Sequence, residues 1–266
     1  MRKKSCYSRD RIRHELDKLG LADVELSFFE EIASTNTELK RQYVASEIPK
    51  KAAVFVAKRQ SAGRGRLGRS FESPDAGIYM SVLLPEAKDG AVLTAYVAVV
   101  AAEAIEEISG AAVEIKWVND LYLLGRKLSG ILCEGIINAE SGKLEASVVG
   151  IGINVLKADF PKEISDIAIS LEAATGKAYS RAEIVARVAE KIIKELPHRS
   201  PSQLIEKYKS KSNVLGKTVK VTRGNEAFFA RAVDINEKAE LVVVKETGEV
   251  LALNSGEVGA KIKREI

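Results

Sequence analysis

The hydrophobic period of the chain changes several times from the amino terminus onward, and each change marks an element. Ile12, Leu16 and Leu19 recur at i, i+4 and i+7 up to Gly20, so residues 1–23 predict a basic leader with one short amphipathic helix. Val24–Ile32 reads as a strand and runs into Ser34-Thr35-Asn36-Thr37-Glu38, where Thr35 and Glu38 have capping-box spacing. Ala52–Ala57 and Ile78–Leu84 are apolar runs of strand length. Gly90–Ile108 is Ala/Val-rich and apolar on most faces, the pattern of a helix buried against a sheet. Val113–Leu123 and Lys127–Glu134 predict a hairpin turning at Gly125-Arg126, and Leu144–Val155 a strand ending in Gly150-Ile151-Gly152-Ile153-Asn154. Ser170 opens a short helix. Ser180 with Glu183 forms a second capping box before Arg181–Leu196, Pro197–Pro201 breaks that helix, and 202–212 supplies a last polar one. From Leu215 the period shortens to Thr218–Thr222, Ala227–Asp234, Leu241–Lys245, Val250–Leu253 and Val258–Ile262. Turn signals at Arg223-Gly224-Asn225, Asn236-Glu237 and Thr247-Gly248-Glu249 separate them, a spacing typical of a small barrel.

One stretch fits neither period. Arg59–Phe71 interleaves glycines at 63, 65 and 68 with arginines at 64, 66 and 69, between two apolar strands. Backbone N–H groups and guanidinium forks both point at negative charge, so such a loop is suited to closing over an anion. A solvated surface loop or an RGG-like grip on RNA backbone uses the same residues. Asn119-Asp120 interrupts an apolar strand, which a bulge or turn satisfied by its own backbone explains equally well.

Composition narrows the chemistry. The 266 residues are 46% hydrophobic, enough for a catalytic-sized domain and a small second one, and 41 basic against 37 acidic residues leave a net charge of only +4. Positive charge is local and not massed as in a dedicated nucleic-acid binder. The most apolar window, Ala91–Ile105, is interrupted by Glu103 and too short to span a bilayer, and no signal-peptide core is visible, so a cytoplasmic location is expected. Cys6 and Cys133 do not make a disulfide framework, and Cys133 reads as a small buried hydrophobe. With His14 and His198 the only histidines, a His-based zinc site or a Ser/His/Asp triad lacks its parts. One leader helix is too little for a helix-turn-helix, so sequence-specific DNA binding is not expected.

Four segments in order, Ser34-Thr35-Asn36, Gln60–Arg69, Lys116-Trp117-Val118-Asn119-Asp120 with Gly125–Gly130, and Gly150–Asn154, followed by a small barrel, resemble the biotin protein ligases, the biotin–[acetyl-CoA-carboxylase] ligases, in a short form without an N-terminal DNA-binding domain. The resemblance covers about residues 30–262. It implies an α+β fold: a mixed sheet with packed helices, like class II aminoacyl-tRNA synthetases and the biotin–lipoate ligase catalytic domain, plus a C-terminal SH3-like β-barrel. The expected units are a biotin- and ATP-binding catalytic domain over 1–213 and the SH3-like domain over 214–266. Two positions depart from the family pattern. Val118 stands where Pro is usual. Phe71 stands where Trp is frequent, keeping a stacking face without an N–H.

The implied reaction joins biotin to ATP as biotinyl-5′-AMP and then passes the biotinyl group to a lysine of a biotin carboxyl carrier protein or domain. The resemblance assigns Ser34, Thr35, Asn36, Gln60, Arg64, Gly65, Arg66, Lys127 and Gly130 to biotin. Arg66, Arg69, Phe71, Asn119, Lys127 and Asn154 are assigned to the nucleotide. Lys127, Arg64 and Asp120 are the expected catalytic groups, with Asp120 also the candidate ligand for a magnesium ion (Mg2+). Bringing a carboxylate to the α-phosphate of a polyanion needs preplaced cations, each able to contribute ~3–4 kcal/mol to the transition state. The loop glycines allow a lid that orders over the water-sensitive adenylate. A lipoate- or octanoate-transferring relative in the same fold stays open, as does a homodimer.

Overall fold

The computed structural model describes residues 7–85, 90–158, 160–224 and 226–260; Cys6, Asn225 of one predicted turn, and the end of the last predicted strand at 261–262 lie outside them. In chain order the elements are α1 (Arg9–Lys18), β1 (Glu25–Ile32), α2 (Thr35–Val44), β2 (Ala53–Gln60), β3 (Gly77–Leu84) and α3 (Gly90–Ser109). There follow β4 (Glu114–Lys116), β5 (Asp120–Leu123), β6 (Arg126–Ile137), β7 (Leu144–Asn154), α4 (Leu171–Thr175), α5 (Arg181–Glu190) and α6 (Pro201–Lys211). The chain finishes with β8 (Thr218–Arg223), β9 (Glu226–Ile235), β10 (Leu241–Lys245), β11 (Val250–Leu253) and β12 (Glu257–Ala260).

A seven-stranded mixed sheet runs β1-β2-β3-β7-β6-β5-β4, parallel only between β1 and β2. The alternation of β2 explains its two covers. Val54 and Val56 face the core shared with α1, α3, α5 and α6, while Ala53 and Phe55 pack with Leu39 and Tyr43 of α2 on the other face. Burial of Val54, Val56, Phe55 and Leu39 contributes about 1.5–3 kcal/mol each. The second sheet, antiparallel β11-β10-β9-β8-β12, shares the larger core: Val219, Val221, Ala230, Ala232, Ile235 and Leu241 are continuous with it. Two polar tethers add to that contact: Trp117 Nε1 donates to the Ala239 carbonyl at 2.9 Å and Lys209 meets Asp234 at 2.9 Å.

Three expectations change. Val113–Leu123 is not one strand: Trp117–Asn119 turns between β4 and β5, so the hairpin becomes a three-stranded meander, with the polar Asn119-Asp120 step marking the break. The helix expected over Arg181–Leu196 ends as α-helix at Glu190 and continues as a π turn over 191–195. The capping residue of α2 is Ser34, whose Oγ accepts from Thr37 N at 3.4 Å, and not Thr35. The predicted amphipathic stripe of the leader helix is buried as its spacing implies, with Ile12 and Leu16 fully enclosed. Among the described residues, no helix is long and apolar enough to cross a membrane.

Candidate active site

The sheet face covered by α2 is left open past the N-terminus of that helix, over β6 and β7. There a cleft of about 340 Å³ is floored by residues 130–132 and 150–152, and walled by 34–36, the Arg64–Phe71 loop, Lys116-Trp117 and β8 and β12. Its floor is flat because two positions have no side chain. A Cβ on Gly150 would lie 2.8 Å from Asn36 Cγ, and one on Gly152 would lie 2.6 Å from Phe71 Cζ. Strand glycines of this kind mark the close approach of another group, here an amide and a phenyl ring. Phe71 lies against Gly152 and its ladder partner Gly130, with Tyr79 edge-on at 6.3 Å between centroids.

At one end of the cleft the wall is neutral and polar. Because Ser34 takes the cap, the Thr35 hydroxyl is released to the cleft: Gln60 Oε1 accepts from Thr35 N at 2.9 Å and lies 3.1 Å from Thr35 Oγ1. Beneath them Ser81 Oγ is 2.7 Å from Thr35 Oγ1 and 2.6 Å from Asn36 Oδ1. Asn36 Nδ2 in turn donates to Glu134 at 2.8 Å, and Lys40 donates to the other Glu134 oxygen at 3.0 Å. Burial opposes charge on Glu134, but the hydrogen bonds from Asn36 and Lys40 outweigh it and hold the carboxyl below its ordinary value. Tyr79, mostly desolvated, is pushed well above the usual phenol range and stays neutral.

At the other end the wall is cationic. The Gly/Arg loop closes on itself, with Phe71 N donating to Gly63 O at 2.9 Å and Gly65 N to Arg69 O at 2.7 Å. Arg66 Nη1 donates to Asn119 Oδ1 at 3.3 Å, while Asn119 Nδ2 donates to the Ile131 carbonyl at 3.0 Å, so the loop is tied to the sheet. Desolvation lowers the Arg66 pKa from its usual value. Lys127 Nζ, at the start of β6, stands 2.8 Å from Asp120 Oδ1; the two are an ion pair without hydrogen-bond alignment, since that buried oxygen has no hydrogen-bond partner. Arg69 reaches across to Glu257 of β12.

Ser34, Thr35, Asn36, Gln60, Arg64, Gly65, Arg66, Arg69, Phe71, Asn119, Asp120, Lys127 and Gly130 all border this cleft. Asn154 does not: it ends β7 opposite Gly77. Four contributors had not been singled out from the sequence. Ser81 and Glu134 underlie the polar end, and Lys220 and Glu257 come from the second sheet. Ser81 carried a signal, as the one small polar residue in the apolar run Ile78–Leu84. Lys220 and Glu257 carried none, because only the docking of the second sheet brings them here. Among the described residues no three His, Cys, Asp or Glu side chains are grouped to hold a metal ion. Asp120 is the carboxylate beside Lys127, and so small an acidic complement suits an ion held mainly by a ligand's phosphates.

Comparison with known proteins agrees with this arrangement. Residues 28–154 match the biotin/lipoate A/B protein ligase family and residues 214–258 the biotin protein ligase C terminal domain. The chain is 31% identical over 225 residues to the bifunctional ligase/repressor BirA of Bacillus subtilis, covering 81% of this chain and 68% of that protein. It is 28% identical over 274 residues to the biotin–[acetyl-CoA-carboxylase] ligase of Mycobacterium tuberculosis, covering 94% and 97%. A solved structure of the Aquifex aeolicus biotin protein ligase in complex with biotin and ATP superposes with a TM-score of 0.76 at 32% identity, covering 88% of this chain and 97% of that one. A mixed sheet with a cationic Gly/Arg loop, the SH3-like sheet docked on its cleft, and these matches along both parts lead to one assignment: the chain belongs to the biotin protein ligase family.

Proposed function

We propose that this chain activates biotin with ATP as biotinyl-5′-AMP and transfers the biotinyl group to a lysine of a biotin carboxyl carrier protein or domain. The observation that carries the reading is the polarity of the cleft, neutral hydrogen-bonding groups around Thr35 and Gln60 at one end and Lys127 with Arg66 at the other. Biotin has a largely apolar bicycle, one ureido group and a carboxylate tail, and so matches a cleft whose ends differ in this way. Its head would lie by Thr35 and Gln60 and its carboxylate by Lys127.

In the first step a biotin carboxylate oxygen forms a bond to the α-phosphorus of ATP, and the bond to the bridging oxygen of pyrophosphate breaks. Lys127 is assigned to bridge the two reacting anions, Arg64, Arg66 and Arg69 to hold phosphate oxygens, and Asn119 to orient the phosphate. Magnesium would arrive on the nucleotide phosphates with Asp120 as its one protein ligand, and its chemistry is to offset their charge. In the second step the amine of the carrier lysine attacks the acyl carbon and AMP leaves with the electron pair, the amine proton passing toward Asp120. Displacing Lys127 from Asp120 onto a substrate anion frees that carboxylate for this role.

The test is transfer of biotin to a purified carrier domain with ATP and magnesium, read by avidin blot. Labelled acceptor that needs all three components is the expected result. Its absence, together with no exchange of pyrophosphate into ATP, overturns the reading. Lipoate in place of biotin should give no transfer.

A further inference from the structure

The cations that border the cleft are not equally committed. Lys127 is paired with Asp120, Arg69 with Glu257, and Arg66 donates to Asn119. Lys116, the last residue of β4, differs. It is the ladder partner of Asp120, whose other ladder partner is Gly130 of the cleft floor, so the Lys116 side chain stands on the cleft face of the sheet. There its ammonium donates to Tyr122 Oη at 3.3 Å and lies 5.3 Å from the centroid of the Tyr122 ring. Tyr122 is in turn the ladder partner of Lys127. A phenol and a ring face hold a cation in place without neutralising it. Among the described residues no carboxylate is paired with Lys116, Glu114 two places back on β4 included, and one of its three N–H donors is taken by the phenol.

We propose that Lys116 is a catalytic residue for the leaving group: it holds β- and γ-phosphate oxygens of the nucleotide while the bond from the α-phosphorus to the bridging oxygen breaks. This rests on the biotin and ATP reading above, in which Lys127 serves the biotin carboxylate and the α-phosphate. The electron pair of the broken bond leaves with pyrophosphate, so negative charge grows on that group, and a cation already fixed beside it lowers the barrier. Placement supports the division of labour. Lys116 and Lys127 stand on β4 and β6, on either side of Asp120 in β5, and neighbouring strands are about 4.8 Å apart, so two long side chains on one face can meet successive phosphates of one chain. Charge selects the ligand. The acceptor of the second step brings an amine, which an uncompensated ammonium opposes. Triphosphate is the polyanion of the reaction, and it has left as pyrophosphate before the acceptor lysine enters.

The full chain and two variants, compared in the two half-reactions, test this. Lys116→Met should raise the KM for pyrophosphate in exchange with ATP about tenfold, the loss of one hydrogen bond to a charged group. Lys116→Glu should raise it about tenfold again, because a carboxylate repels the same oxygens. Biotin affinity by calorimetry should stay at the wild-type value in both, which shows that the cleft is intact. Transfer from preformed biotinyl-5′-AMP to a carrier domain should also keep its rate, since pyrophosphate has no part in that step. Transfer that falls as far as exchange overturns the proposal, because Lys116 then acts on the acceptor or only supports the fold. Exchange that does not follow the order of charge overturns it as well. A wild-type chain that performs neither half-reaction counts against the functional reading itself. The anion site is then decided by calorimetry with inorganic tripolyphosphate, which wild type must bind more tightly than Lys116→Met, and Lys116→Met more tightly than Lys116→Glu; equal affinities refute it.

Discussion

Replacing Gly152 by alanine tests whether the Phe71 ring lies on the cleft floor. The added methyl would stand 2.6 Å from Phe71 Cζ and 3.1 Å from Cδ1, whereas packed carbons sit about 3.5–4.0 Å apart. The ring must therefore retreat by ~1 Å. Along the sheet it would pass over Gly130 into the place where the end of the Lys127 side chain stands, and backward Tyr79 stands edge-on against it. The remaining direction is into the 340 Å³ cleft. Overpacking of this kind costs ~1–3 kcal/mol, and a mid-range 2 kcal/mol lowers Tm by about 4–8 °C. Biotin affinity should fall in parallel. Adding Phe71→Ala removes the obstruction, so the double variant should be more stable than the sum of the two single losses requires, a coupling a thermal-denaturation cycle measures. Tm and biotin affinity both unchanged in Gly152→Ala would mean that the ring does not occupy this place.

Lys127→Ala should reduce pyrophosphate exchange by about 10²–10³ while circular dichroism stays that of wild type, because Arg126, the other cation of β6, does not border the cleft. Trp117→Phe leaves the Ala239 carbonyl without its donor and should cost ~1–3 kcal/mol in urea denaturation; an unchanged midpoint would show that the tether is not stabilising. If the Gly/Arg loop acts as a lid, biotin plus ATP should protect Arg64–Arg69 from trypsin, and equal cleavage with and without ligands rejects the lid. Glu134 has a lowered folded pKa, so its stabilising contribution is present above the ordinary carboxyl value of 4.5 and lost as pH falls through the folded value. The stability gap between wild type and Glu134→Gln should therefore be constant near neutrality and narrow in acid, as followed by denaturant melts across pH.

Elements with strong periodicity were legible from residues alone. The predicted bounds Leu241–Lys245 and Val250–Leu253 coincide with β10 and β11, and Gly90–Ile108 is one residue short of α3. Capping was legible in kind but not always in place: Ser180 caps α5 as its spacing implies, while at α2 the cap falls on Ser34, one residue before the Thr35 that the spacing favours. The meander was missed because three-residue β4 is too short to leave a pattern. Motif residues found the cleft wherever the backbone carries them there directly, as with Gln60, Arg66 and Lys127. The residues behind them were illegible for a physical reason. Glu134 and Lys40 are ordinary charged positions in sequence, and only strand pairing and the seat of α2 turn them toward each other.

The second sheet has a bearing on biosynthesis. Lys220, Thr222 and Glu257 border a cleft whose opposite wall begins at Ser34, so the ribosome finishes one side of the vessel long before the other. A nascent chain with its large sheet already formed still presents an open trough until β8 through β12 emerge and dock through Ala239 onto Trp117. The cleft is thus walled on that side only once the strands of the second sheet have been made.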